Sequence, residues 1–107
     1  MHRYLSIGLA LALAATCESA FAAATVKVEV TRFAFTPKEI TVAPGTTVVW
    51  TNHDEVPHTV TSADKVLASK AMDTDDVYEH TFGDEGDVAY FCAVHPFMTG
   101  VVHVRRP

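Results

Sequence analysis

At 107 residues the chain has room for one compact core and none for a second, catalytic domain. Its 8 Lys and Arg against 13 Asp and Glu give a net charge of -5. That balance excludes a nucleic acid or an anionic membrane as the natural partner and suits a basic protein surface.

The first residues read as an address rather than as fold. His2 and Arg3 form a short basic start, Tyr4 to Ala15 is almost entirely apolar, and Ala20-Phe21-Ala22 puts small residues where a signal peptidase reads. The pattern predicts a cleaved secretory signal over residues 1–22, a mature domain over 23–107 and export to the periplasm, with cutting after Ala23 or Ala24 as the alternative. The apolar run, about a dozen residues, falls short of the ~20 a spanning helix needs, so stable membrane insertion is not expected. Cys17 would leave with the signal, so Cys92 would stand alone and no internal disulfide could form. A lone thiol in an oxidising compartment is open to oxidation unless something occupies it, and a metal would.

From Thr25 onward the pattern is that of short strands. Val26, Val28 and Val30 alternate with Lys27, Glu29 and Thr31, and Phe33 and Phe35 continue the alternation. Ile40 and Val42 suggest a second strand, and Pro44-Gly45 a turn before the β-branched and aromatic run Thr46 to Asn52, with Trp50 in the core. His53 to Pro57 reads as a loop and His58 to Ser62 as a strand, whereas Ala63 to Asp76 carries no clear period. Val77 to Phe82, Val88 to Cys92 and Gly100 to Val104 complete a set of roughly seven or eight strands without a long amphipathic helix, which predicts an all-β, antiparallel sandwich.

Chemistry concentrates in Cys92-Ala93-Val94-His95-Pro96-Phe97-Met98, where a thiolate, an imidazole and a thioether are each separated by two residues. This soft donor set selects copper over magnesium, calcium or manganese, and Met98 argues against zinc, which gains nothing from a thioether. A trigonal set needs one more imidazole from upstream. His58, stiffened by Pro57 and followed by an alternating segment, is preferred to His53, which sits in the polar loop Asn52-His53-Asp54-Glu55. His80 and His103 lie inside strand patterns and are read as surface or otherwise satisfied imidazoles.

Those residues, with Phe33-Ala34-Phe35-Thr36-Pro37, Ile40 to Val48, Trp50-Thr51-Asn52, Pro57-His58-Thr59-Val60 and Tyr90-Phe91-Cys92, are similar to the cupredoxins over almost all of residues 23–107. The short ligand loop and its His-Pro-Phe-Met are most similar to the amicyanin branch, more distantly to pseudoazurin and plastocyanin. The resemblance implies a Greek-key β-sandwich and a blue type 1 site cycling Cu(I)/Cu(II), with His58, Cys92 and His95 equatorial and Met98 a weak axial ligand. It also implies that His95 emerges through an apolar patch, for which Val56, Pro57, Val94, Pro96 and Phe97 are candidates. Family members often carry Asn after the upstream ligand, where it ties two ligand loops together; here Thr59 offers a shorter hydroxyl bridge.

The implied function is a monomeric carrier of single electrons between a redox donor and acceptor, by analogy a c-type cytochrome or an amine dehydrogenase. A copper chaperone or store using the same site is the nearest alternative, although after the signal only Met72 and Met98 supply thioethers. An enzyme with Cys92 as nucleophile and His95 as base lacks an evident orienting group or oxyanion site, so no catalytic role is expected. A purely structural sandwich would not need these donors at this spacing.

Overall fold

The computed structural model describes residues 24–107, and the signal expected over 1–22 lies outside the described residues. Seven strands form two sheets: β1 (Thr25–Thr31), β2 (Ala34–Thr36), β3 (Glu39–Val42), β4 (Thr47–Asn52), β5 (Val77–Thr81), β6 (Gly86–Phe91) and β7 (Thr99–Val104). One sheet has the order β2-β1-β4-β5 and the other β3-β7-β6, so the chain passes between sheets after β2, β3 and β5. The all-β sandwich read from the strand pattern is the one formed. Within it β1 runs parallel to β4 and β3 parallel to β7, while the other pairings are antiparallel. Among the described residues no helix is long and apolar enough to cross a membrane.

Alternation builds the core. Val28 and Val30 of β1, Val48 and Trp50 of β4, and Val102 and Val104 of β7 are buried while their neighbours along each strand are not. Each buried Val contributes about 1.5–3 kcal/mol relative to an exposed one. Between the sheets Trp50 meets Tyr90 edge-on at 5.5 Å between ring centroids, and Phe35 meets Tyr90 at 4.7 Å. Gly100 is required where it stands, because a Cβ there would collide with the Tyr90 ring. Pro44-Gly45 makes the expected turn with Gly45 at φ 91°, a conformation glycine adopts without cost.

Two strand expectations are corrected by where backbone donors go. Phe33 does not continue β1. Arg32 and Phe33, at φ 52° and 55°, form the two-residue turn of the β1–β2 hairpin, folding the alternation back on itself. His58 to Ser62 makes only isolated bridges, to Met72, Ala68 and Phe91. The Thr59 N–H is directed to Cys92 Sγ at 3.3 Å and the Val60 N–H to Ser69 Oγ at 2.8 Å, so side chains take the donors a ladder would use. The aperiodic segment after it is held in the same way. Ser62 Oγ accepts from Leu67 N, the Tyr78 hydroxyl accepts from Ala68 N, and Leu67 is fully buried.

Candidate metal centre

The end of the sandwich where β4 and β6 run out carries the site. Cys92 follows β6 directly, and the seven-residue loop to Met98 is closed by Cys92 N donating to Met98 O (3.1 Å), with inner turns from His95 N to Cys92 O (3.2 Å) and Met98 N to His95 O (2.9 Å). Paired bonds between Thr61 and Phe91 lay the segment from His58 against this loop. A paired bridge between His58 and Met72 fixes its start.

Three donor atoms converge there. Cys92 Sγ lies 3.6 Å from His58 Nδ1 and 3.9 Å from His95 Nδ1, and the two nitrogens are 3.2 Å apart. A point equidistant from all three is about 2 Å from each, close to the bond lengths metals make with imidazole nitrogen and thiolate sulfur. Cys92 and His58 are fully buried and His95 is half-buried. Met98 is also buried, tied to Cys92 through the backbone. The group is positioned to hold a copper ion, and its donor set fits copper's preference for soft sulfur with imidazole.

His53 is brought to neither nitrogen nor sulfur of this group. It lies on the surface, paired with Glu29. His103 sits on the outer face of the β3-β7-β6 sheet, with Nδ1 2.7 Å from Asp87 and Nε2 3.1 Å from Glu39.

The surroundings fix the donors. The Thr59 hydroxyl accepts from Ala93 N at 2.8 Å and bonds the Thr61 hydroxyl at 2.9 Å, making the short bridge between loops anticipated for this position. Asn52, fully buried, donates to Val56 O and Met72 O and accepts from Asp54 N, knitting the loop after β4 to the crossover before β5. Phe33 and Phe97 meet His95 edge-on and are exposed, as are its chain neighbours Val94 and Pro96; before His58 in the chain, Pro57 is exposed and Val56 half-buried.

Two residues at the site escaped the sequence reading. Phe33 meets His58 and His95 edge-on, at centroid distances of 5.3 and 5.2 Å, from its place at the hairpin turn. Asp54 accepts from Arg32 N (2.7 Å), Phe33 N (3.0 Å) and His58 Nε2 (2.8 Å). Partial burial works against its ionisation, but the donors from Phe33, His58 and Arg32 outweigh it and hold the carboxyl below its ordinary value of 3.8. The only local sign of Asp54 was its place four residues before His58.

A profile of the copper-binding proteins of the plastocyanin/azurin family matches residues 22–105. The chain belongs to that family. It is 37% identical over 98 residues to amicyanin of Paracoccus denitrificans, covering 82% of this chain and 75% of the relative. With amicyanin of Paracoccus versutus it shares 34% over 85 residues, 75% of this chain, and the match spans 64% of the relative's length. The crystal structure of amicyanin from Paracoccus versutus superposes with a TM-score of 0.72 at 32% identity, covering 76% of this chain and 82% of that one. The cupredoxin fold and copper as the metal follow for this chain.

Proposed function

We propose that His58, Cys92 and His95 hold one copper ion between them, that Met98 is a weak fourth ligand, and that the protein carries single electrons between redox partners. The observation that carries this reading is the convergence of two Nδ1 atoms and one Sγ, beneath an exposed apolar patch. Bound there, copper supplies a one-electron Cu(I)/Cu(II) couple. The chain's part is to keep the donors still. The closed Cys92–Met98 loop, the Thr59 bridge and the buried His58 resist the rearrangement that a change of oxidation state would otherwise drive. Thr59 N–H, directed at Cys92 Sγ, offsets negative charge on the thiolate.

His95, half-buried among Phe33, Val94 and Phe97, is the exit for the electron. A small apolar contact with acidic Glu55, Asp73 and Asp75 exposed on adjoining loops suits brief docking of a basic redox partner, such as a c-type cytochrome or an amine dehydrogenase. The domain acts as a carrier rather than an enzyme. The basic start and apolar run within residues 1–22 support a cleaved leader and export to the periplasm.

Voltammetry of the copper-loaded protein with a Cu(I) chelator present tests the carrier against the copper chaperone or store. A carrier gives a reversible one-electron wave and keeps its copper through repeated cycles. Loss of copper to the chelator on each reduction would support the chaperone instead. Met98→Leu is expected to retain copper while raising the potential, and loss of all binding in that variant would assign Met98 more than a weak axial part.

A further inference from the structure

We infer that Asp54 is a positioning residue for the copper centre: its carboxylate sets the tautomer and orientation of His58 and, through that ring, biases the site toward Cu(II). The inference rests on the copper reading above but on different atoms. A carboxylate can only accept, so the 2.8 Å contact with His58 puts the ring proton on Nε2 and leaves the Nδ1 lone pair facing Cys92 and His95. With the opposite tautomer Nδ1 would carry a proton and could not bind a metal. His58 is fully buried, so in the intact protein Asp54 rather than solvent meets its Nε2. A charged acceptor on an imidazole N–H makes the other nitrogen a stronger donor, which favours the harder oxidation state.

The same carboxylate joins the site to the hairpin turn. Asp54 takes the N–H groups of Arg32 and Phe33, both at positive φ, and this holds the Phe33 ring edge-on to His58 and His95. Non-glycine residues adopt that backbone only where neighbours over-determine it. One side chain therefore aligns the upstream imidazole and anchors the aromatic that covers it.

Asp54→Asn and Asp54→Ala separate charge from geometry. The amide oxygen of Asn can still accept from His58 and from Phe33 N, so Asp54→Asn keeps the tautomer while removing the charge and the acceptor for Arg32 N. Nitrogen NMR of the copper-free protein should show His58 protonated on Nε2 in wild type and in Asp54→Asn, and a tautomer mixture in Asp54→Ala. On copper loading, Asp54→Asn should lose about tenfold in Cu(II) over Cu(I) affinity, which is about 59 mV upward in potential. Asp54→Ala should lose roughly 10- to 100-fold in Cu(II) affinity. Wild-type His58 protonated on Nδ1, or an unchanged potential in Asp54→Asn, overturns the inference; the latter decides even if Asp54→Ala does not fold. A wild type that binds no copper would sink the copper reading instead, and the copper-free NMR result would still stand.

Discussion

Of the three histidines that have a carboxylate on Nε2 among the described residues, His58 and His103 meet opposite fates. His58, buried at the loop end, gives Nε2 to Asp54 and turns Nδ1 toward Cys92 and His95. His103, on the outer face of β7, has carboxylates at both nitrogens, Asp87 and Glu39, with Arg105 also paired to Asp87. Two acceptors favour two protons, so His103 is drawn toward its cation within a surface cluster of charged groups. One acceptor and one free lone pair make His58 a candidate ligand. What separates them is what the second nitrogen faces.

The sharpest way to break the comparison is the same substitution at both places. His58→Asn is expected to lower Cu(II) affinity by at least about 100-fold, beyond the usual loss for an outer partner. His103→Asn should leave copper affinity and visible spectrum as in wild type. A copper titration checks both, and equal losses would erase the distinction between the two sites.

How far this contrast could be read without the structure depended on sequence distance. Cys92, His95 and Met98 stand out because one short loop carries them, and His58 because Pro57 and an alternating segment frame it. Asp54 gave no such signal. It sits among polar loop residues, and two of its three donors, Arg32 and Phe33, come from a hairpin more than twenty residues away. Phe33 fitted a strand period, and only the positive φ at both turn positions puts it over the imidazoles. The sandwich itself was legible because the strands alternate, whereas residues 58–62 also look β-like and are diverted by Cys92 Sγ and Ser69 Oγ, acceptors far away in sequence or hidden in an aperiodic stretch.

A smaller effect tests how firmly the buried region is tied. Thr59→Ala removes the acceptor for Ala93 N and should cost about 1 kcal/mol, a fall of about 4–8 °C in Tm, with Thr59→Ser restoring most of it. Thermal unfolding of the copper-free variants measures this, and an unchanged Tm would show that the hydroxyl bridge contributes nothing to holding the loops.

The smallest effect belongs to the exposed cluster. Hydrogen bonds to Asp87 and then Glu39 raise His103 above its ordinary value of 6.5, and Asp87 is lowered from 3.8 by His103 and Arg105. A raised folded-state pKa gives stability that is full below the unfolded value and is lost as pH rises through the folded one. His103→Asn should therefore be slightly less stable than wild type near pH 6, and the difference should vanish at alkaline pH. A deficit that grows with pH would contradict the ion-cluster assignment.

The most direct test of the central claim is the visible and electron paramagnetic resonance spectrum of the Cu(II)-loaded protein beside that of Cys92→Ser. The Cys92, His58 and His95 triangle predicts an intense thiolate-to-copper absorption band with a type 1 resonance, both absent from the variant. A wild type that remains colourless after copper reconstitution, or a Cys92→Ser protein with the same spectrum, would contradict it.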